Sequence, residues 1–306
     1  MRPPHSQRKP AARRMGCLFA AALGWVVIGI WPSLSPVAPA WAQMHGTAGS
    51  EPALRVSHVS CCPHLWAPHG IPSAYAAPVD WSLPRGYRGT LVRERPCGFP
   101  LKLIALTFDD GPDGEVTPQI LESLAAHRAQ ATFFVLGCQA RRQTGLLRQM
   151  ATTGHVVGNH SYSHPSHPSA AESRKELSKT AGIIRQVTCR TPVCFRPPYG
   201  ITKNALTPLA LREGYAAVLW TVDTGDALGH DTKEIIATAT RAPTPGQIIL
   251  MHDGRGHHET AQAVPIILEK LSSAGFRFVT IPELLYAWDQ WLRRPVAACP
   301  KKGASD

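Results

Sequence analysis

From Leu101 onwards, short apolar runs alternate with longer segments whose apolar residues recur at helical spacing. The runs, such as "LKLIALTF" at the start, are almost continuously apolar, which is typical of strands buried on both faces of a sheet. Strands that alternate with helices indicate parallel strands and an α/β class. With about seven strands in this rhythm, we expect a small barrel of parallel strands.

Polar residues of this region cluster where the predicted strands end. In a parallel barrel the carboxyl ends of the strands share one rim, and that rim carries the active site. We therefore expect segments that are distant in sequence to meet there. The strand-end residues are Asp109, Asp110, Asn159, His160, Arg196, Asp223, Asp226, His252 and Asp253.

The stretch "NHSYSHP" and the adjacent carboxylates Asp109 and Asp110 have the composition of a metal site. His160 and His164 are spaced i, i+4, which on a turn or helix start brings two imidazoles to one side. Two histidines and one aspartate leave open positions on an ion, as catalytic metals require. The other aspartate would take a proton from water, and the ion would offset the repulsion between the two carboxylates. The alternative is two surface histidines in a polar loop.

His252 follows the apolar run "IILM" and lies at a strand end on the same predicted rim. A histidine in that place can protonate a leaving amine or alkoxide near neutral pH. Taken alone, the residue is better explained as a partly buried core histidine. The convergence of several strand ends favours a general acid.

Residues 1–42 predict an export signal. A basic start that ends at Arg14 precedes the apolar run 16–31 and the small-residue site Ala40-Trp41-Ala42, the order found in secretory signal peptides. We favour cleavage and export to the periplasm, the cell envelope or the medium. There are three alternatives: an uncleaved signal-anchor, a twin-arginine signal and a buried helix. Only the signal-anchor would bring the protein into contact with a membrane.

Residues 43–98 are rich in Pro, Gly, Ala and Ser without a sustained period, which predicts a linker or an irregular extension. The predicted catalytic domain is 99–295, followed by a tail at 296–306. Part of the net charge of +11 lies in the leader, and the remaining Lys and Arg form no basic stripe. Nucleic acid is therefore not expected as a partner.

The chain has eight cysteines, of which Cys17 lies in the leader. The odd remainder indicates a free thiol or an intermolecular bridge. Within the chain, Cys189 and Cys194 could close a short loop, and Cys97 and Cys299 could join the ends of the domain. Zinc-finger spacing is absent from the sequence, which argues against a zinc site made of cysteines alone.

The segments "TFDDGP", "HSYSHP", "RPPYG", "DTGDA" and "LMH" follow one another in this order. They resemble the five motifs of the NodB-like polysaccharide deacetylases, carbohydrate esterase family 4. The resemblance extends from about Leu101 to Leu285, and the first three motifs are specific when found together. It implies an α/β fold, a distorted (β/α) barrel with about seven parallel strands.

The resemblance also implies a role for each matching residue. Asp109 is similar to the catalytic base, which Arg196 would orient. Tyr199 would offer its backbone N–H to the oxyanion, and Asp226 would tune His252, the general acid. The implied metal ligands are Asp110, His160 and His164, and the implied substrate-binding residues are Leu250 and Pro198.

The implied activity is removal of N-acetyl groups from polymers of N-acetylglucosamine, either peptidoglycan or chitin oligomers, with a divalent metal that is zinc or, alternatively, cobalt. Metal-bound water would lose a proton to Asp109 and attack the amide, and His252 would protonate the sugar amine. Ala227 departs from the pattern, because the family usually has an aromatic there, commonly tryptophan. That departure leaves the preferred acyl group or sugar open.

Three other functions remain open at the level of sequence. An O-acetyl esterase acting on xylan would use the same site. A deformylase of a lipid-linked aminosugar would suit a membrane-anchored chain. A catalytically weak carbohydrate-binding protein is the third, and the presence of Asp109 and His252 argues against it, because binding alone needs neither.

Overall fold

The computed structural model describes residues 81–294, and in these residues nine parallel strands form one sheet. The strands are β1 Leu91–Val92, β2 Leu103–Asp109, β3 Ala131–Val135, β4 Val156–Asn159, β5 Cys194–Phe195, β6 Ala216–Val218, β7 Val222–Asp223, β8 Gln247–His252 and β9 Arg277–Phe278. The expected parallel α/β architecture is confirmed. The strand count exceeds the expected seven because one predicted strand is divided and one strand was missed.

Eight α-helices and three 3₁₀ turns connect these strands in the described part of the chain. The helices are α1 Val116–Ala126, α2 Gly137–Arg142, α3 Thr144–Thr152, α4 Ala170–Thr188, α5 Leu206–Arg212, α6 Thr232–Thr240, α7 His258–Ser273 and α8 Ile281–Leu292. The 3₁₀ turns are Arg85–Tyr87, Pro198–Gly200 and Asp226–Leu228. No helix within residues 81–294 combines the length and apolar character needed to cross a bilayer.

The sheet has the strand order β1-β6-β5-β4-β3-β2-β8-β7, and β9 pairs with the start of β2. It curls into a half-barrel with helices packed on its outer face, as expected for a distorted (β/α) barrel. Along β2, Ile104 and Phe108 pack into the layer beneath the helices, whereas Leu103 and Ala105 pack with α8. Because successive strand side chains point to opposite faces, Asp109 belongs to the same face as Leu103 and Ala105.

The apolar run "YAAVLWTVD" predicts one strand, but the structure divides it into two strands at different places in the sheet. β6 pairs with β5 and β1, whereas β7 pairs with β8 at the far edge. The link between them bonds to both sides: Leu219 N donates to Val92 O at 2.9 Å, and Thr221 N donates to Ile248 O at 2.9 Å. The segment 219–221 therefore crosses the open side of the half-barrel.

Part of the predicted linker, residues 81–98, packs with the predicted domain 99–295. Trp81, Leu83 and Val92 are buried in the core, and β1 is an edge strand of the sheet. A two-residue strand is too short to leave a period in the sequence. The predictions for residues 1–42, 43–80 and 296–306 lie outside the described residues.

The cysteines follow the sequence-based expectations only in part. Cys97 is disulfide-bonded, and its predicted partner Cys299 lies outside the described residues. Cys194 is a free thiol buried in β5, so the bridge considered between it and Cys189 is not formed.

Candidate active site and metal centre

Asp109 ends β2 as a buried carboxylate held by a fully buried arginine. Arg196 Nη1 donates to Asp109 Oδ1 at 2.8 Å and to Thr107 Oγ1 at 2.8 Å. Arg196 Nε and Nη2 donate to the carbonyls of Val218 and Leu219 at 3.0 and 3.3 Å. Burial raises the pKa of Asp109, and the charge and hydrogen bond of Arg196 oppose that rise. The carboxylate is thus fixed at one oxygen while its pKa favours proton uptake.

Asp110, His160 and His164 bring one ligand atom each to a common point. Asp110 Oδ1 lies 3.4 Å from His160 Nε2 and 3.5 Å from His164 Nε2. Asp110 and His164 reach this arrangement with φ of 74° and 62°, in the left-handed region that few non-glycine residues adopt. Such strained conformations persist at functional sites when the surrounding structure holds them.

The chemistry of these three residues fits a divalent cation. The ligand atoms of a tetrahedral zinc ion lie roughly 3.3 Å apart, close to the separations observed. Asp110 Oδ1 is buried and has no hydrogen-bond partner in the described residues, and a buried carboxylate oxygen of this kind is rare without one. His160 Nδ1 lies 2.7 Å from the carbonyl of Arg196. Because a carbonyl can only accept, Nδ1 carries the proton, and Nε2 keeps a free lone pair for a metal. Burial lowers the pKa of His160 to about 3, so the ring is a neutral ligand.

His252 lies at the end of β8, directly opposite Asp109 in the pairing of β2 with β8. Asp226 Oδ1 accepts from His252 Nδ1 at 2.9 Å, and Asp226 Oδ2 accepts from the His252 backbone N–H at 2.7 Å and from Thr260 Oγ1 at 2.8 Å. Burial lowers the pKa of His252, but the hydrogen bond and charge of Asp226 prevail and raise it to about 9. The imidazole is therefore protonated at neutral pH, with Nε2 as its remaining donor.

Asp253, one of the strand-end residues, is buried, and the family motifs imply no role for it. Its backbone N–H donates to Asp109 O at 3.0 Å, and its carboxylate accepts from Gly111 N at 3.2 Å and from Thr117 Oγ1 at 2.7 Å. These bonds hold the chain on both sides of Asp110. A Cβ on Gly111 would lie 2.1 Å from the Asp253 carboxylate, so the close approach requires glycine. Burial raises the pKa of Asp253 to about 7.

The same contact lies at the start of α1. A threonine directly before a proline predicts an N-cap at Thr117, but the helix begins at Val116 and Thr117 is buried against Asp253. Asp113 Oδ1 instead accepts the backbone N–H groups of Glu115 and Val116, at 2.9 and 3.1 Å. The side chain that accepts the free N–H groups at the start of the helix is therefore Asp113, about one turn before Thr117.

The predicted oxyanion and substrate residues lie around this centre. Tyr199 is 64% exposed, has φ of 57°, and its ring centroid lies 4.3 Å from that of His164. Leu250 is buried on β8 two residues before His252, and so on the same face, and Pro198 is buried beside Tyr199. Ala227 is exposed, and its N–H donates to Asp226 Oδ1 at 2.9 Å.

Two strand-end residues support the site without facing the metal centre. The buried Asn159 side chain donates to Leu177 O at 3.0 Å and accepts from Ser161 N at 2.9 Å, which shapes the loop that carries His160. The exposed Asp223 accepts from Gly225 N at 3.0 Å. Thr107 and Thr260 also bind residues of the site, but no motif in the sequence predicts them. Thr107 lies two residues before Asp109, and the alternation of side chains along a strand predicts that both lie on the same face. No sequence pattern indicates Thr260.

A buried carboxylate on one strand and a protonated histidine on the next flank an Asp-His-His centre at one rim of a parallel half-barrel. These features define a hydrolase site with a base, an acid and a place for a cation. Residues 98–218 match the polysaccharide deacetylase family model. The chain belongs to this polysaccharide deacetylase family, as its motifs indicated.

Named relatives agree with this assignment. A peptidoglycan-N-acetylglucosamine deacetylase of Bacillus cereus is 39% identical over 59% of this chain and 67% of that protein. One of Listeria monocytogenes is 40% identical over 63% of this chain, which spans only 41% of that longer protein. A chitooligosaccharide deacetylase of Bradyrhizobium is 34% identical over 59% of this chain and 90% of that protein.

The fold is similar to that of a solved member of the family. The crystal structure of a peptidoglycan N-acetylglucosamine deacetylase in complex with an N-hydroxybenzamide derivative has a TM-score of 0.60 and 37% identity. The similarity covers 64% of this chain and 92% of that one.

Proposed function

We propose that this protein is an exported, divalent-metal-dependent deacetylase that removes N-acetyl groups from N-acetylglucosamine polymers, peptidoglycan or chitin oligomers. The observation that carries the proposal is the pairing of Asp109 with His252 across β2 and β8 beside the Asp-His-His centre. The relatives named for these substrates support the choice of polymer, and the predicted leader supports export.

Asp110, His160 and His164 would hold the ion. When bound, a divalent cation stabilises negative charge on a carbonyl oxygen and lowers the pKa of neighbouring water. Zinc suits two imidazoles and a carboxylate, and cobalt accepts the same ligands. The contribution of the protein is to present these ligands in fixed positions beside the acid and the base.

Asp109 takes the proton of the attacking water. Its Oδ1 is held by Arg196, while its Oδ2 lies 3.7 Å from His160 Nε2, at the edge of the metal centre. A buried carboxylate with a raised pKa is a better base than an exposed one, because its driving force for proton uptake is larger. Arg196 fixes the direction of that carboxylate and keeps it from being wholly neutral.

His252 donates its Nε2 proton to the sugar nitrogen as the amide bond breaks. The sugar nitrogen is a poor leaving group unless it is protonated, so the reaction needs an acid that still carries its proton at neutral pH. Asp226 supplies that condition by binding Nδ1 and stabilising the imidazolium. The backbone N–H of Tyr199 donates to no described residue, and it is the proposed donor to the oxyanion. Leu250 and Pro198 are the proposed apolar contacts of the substrate.

A carbohydrate-binding protein without activity is disfavoured by the same geometry. Binding needs neither a buried, arginine-held carboxylate nor a histidine with a raised pKa, and burying such groups is costly. The O-acetyl esterase and deformylase alternatives share the acid and base, and they are distinguished by substrate.

The test is acetate release by the purified protein on chitin oligomers, peptidoglycan and acetylxylan, with and without a chelator. The expected result is chelator-sensitive release from a glucosamine polymer that falls 10²–10⁴-fold in Asp109→Asn. Asp289→Asn is the control, since Asp289 lies on α8 and pairs with the exposed Arg293 away from the centre, and it should retain activity.

Two outcomes would replace the proposal. Release from acetylxylan alone would assign an O-acetyl esterase. No acetate from any polymer, together with formate release from a formylated aminosugar lipid, would assign a deformylase.

A further inference from the structure

A second group of metal-ligating side chains lies on the acid side of the site. Asp226, His252 and His257 offer three ligand atoms that all lie within 4.8 Å of one another. His252 Nδ1 is 2.9 Å from Asp226 Oδ1, and His257 Nδ1 is 4.0 Å from Asp226 Oδ2. We call these three residues the acid-side cluster. His257 has no part in the mechanism above.

The fold holds the cluster in place. The two imidazole rings are stacked with centroids 5.1 Å apart and planes 20° apart. His257 immediately precedes α7, and the loop after β8 returns it to His252. Asp226 is fixed by donors from Ala227 N, His252 N and Thr260 Oγ1 at 2.7–2.9 Å. A carboxylate held in this way faces both imidazoles without further ordering.

The separations suit a small divalent cation. The 2.9 Å contact joins His252 Nδ1 to Asp226 Oδ1, and the 4.0 Å contact joins His257 Nδ1 to Asp226 Oδ2. One ligand atom from each of the three residues lies within 4.8 Å of the others. The ligand atoms of a tetrahedral ion lie roughly 3.3 Å apart, so small side-chain shifts bring the three residues to that spacing.

A cavity of about 220 Å³ adjoins Asp226, His257 and Thr260. Its other walls include His230, Asp231 and Glu259, so the cluster is open to water on a polar side. The cavity gives a cation access and leaves room for water to complete its coordination.

We propose that the acid-side cluster is a second divalent-cation site, separate from Asp110, His160 and His164, and that its occupancy inhibits the enzyme. The ion takes the position of the proton between His252 Nδ1 and Asp226 Oδ1, and that proton passes to solvent. Asp226 then binds the ion and no longer stabilises the imidazolium, so His252 is lost as an acid. Metal at the first site would activate, and excess metal would inhibit.

The inhibition part of this inference rests on the proposed function, whereas the binding part does not. Binding is measured first, by equilibrium dialysis of the full chain against Zn²⁺ and Co²⁺. The readout is the difference in bound ions between wild type and His257→Gln, since thiols and histidines elsewhere in the chain also bind zinc. We expect one ion fewer in His257→Gln.

Two further variants make the comparison specific. His258→Gln removes the neighbouring exposed histidine, which lies outside the cluster, and should bind as many ions as wild type. His257→Phe keeps an aromatic ring against His252 but removes its ligand nitrogens, so it should lose the same single ion as His257→Gln. Circular dichroism confirms that each variant is folded.

Activity is then followed as Zn²⁺ is raised from one equivalent to a large excess. We expect wild type and His258→Gln to rise and then fall, and His257→Gln and His257→Phe to need at least tenfold more zinc for the same fall. Equal ion counts in wild type and both His257 variants would overturn the proposal, as would equal inhibition. If no variant releases acetate, the ion counts still decide the site, and the proposed function alone fails.

Discussion

At the scale of single residues, Arg196 is a buried charge that depends on its hydrogen-bond partners. It is fully buried, and its guanidinium donates to one carboxylate, one hydroxyl and two backbone carbonyls. A buried ion pair of this kind adds little net stability by itself, but breaking it leaves a buried charge unpaired. The arginine is therefore required for Asp109 to exist as a carboxylate in this position.

Replacing Arg196 by Met should destabilise the protein by about 3–5 kcal/mol, because Asp109 is left buried without its partner. Urea unfolding measures the change. Arg293→Met is the control, since Arg293 makes an exposed i, i+4 pair with Asp289, and such pairs contribute little. A similar small effect for both variants would show that Arg196 is not needed to compensate the buried carboxylate.

The second residue-scale prediction concerns the pH dependence of the acid. His252 must be protonated to act, so activity should be lost as pH rises through its pKa of about 9. In Asp226→Asn the charge that raises this pKa is gone, and burial then lowers it. The basic limb of kcat/KM, measured at one equivalent of metal, should move to lower pH by at least one unit. An unmoved limb would mean that another group limits the rate at high pH.

The sequence predicted which residues meet in the site because they belong to ordered motifs at strand ends. Asp109, Asp110, His160 and His164 are brought together as the spacing indicated. The contacts of Asp253 and Thr260 could not be predicted in the same way. Each depends on how an unrelated segment, 136 residues distant for Thr117 and Asp253, packs in three dimensions.

At the scale of elements, the turn between β2 and α1 positions the metal ligand Asp110. Asp253 directly follows β8 and bonds to the residues on both sides of Asp110. Its N–H donates to the carbonyl of Asp109, and its carboxylate accepts from the N–H of Gly111. The turn is further held from the opposite side, where Leu136 N donates to Gly111 O at 3.0 Å. A left-handed Asp110 is thus maintained by neighbouring strands and not by its own preference.

Asp253→Ala should therefore weaken metal binding at the Asp110 centre by about tenfold or more, because the carboxylate bonds to Gly111 N and Thr117 Oγ1 are lost. Asp253→Asn keeps an acceptor for Gly111 N and should bind metal nearly as well as wild type. Competition with a chromophoric chelator measures both affinities. Equal affinity in Ala and Asn variants would show that the turn is held without the Asp253 side chain.

Element boundaries show where hydrophobic pattern stops being informative. The start of the long helix α4 can be predicted from the sequence, because Ser169 and Glu172 form a capping box, which is a local signal. By contrast, β6 and β7 came from one apolar run that changes partner at 219–221. Apolar periodicity reports burial and not the neighbour that provides it.

At the scale of the whole molecule, the half-barrel is completed by pieces with weak sequence signals. The two-residue strand β1 covers β6, and α8 packs against the interior face of β2 through Trp288. The predicted domain start at 99 omitted the first of these pieces. Trp81, Leu83 and Val92 show that the core continues into residues 81–98.

A fragment that starts at 99 should accordingly be far less stable than one that starts at 81, with both ending at 306. Burial of each apolar side chain contributes about 1.5–3 kcal/mol, so losing these three removes a large share of the roughly 5–15 kcal/mol that holds a domain folded. Because the shorter fragment also lacks Cys97, the longer one is compared as Cys97→Ser. Thermal unfolding and solubility are measured for both. If the two melt together, residues 81–98 lie on the barrel without stabilising it, and the catalytic domain does begin at 99.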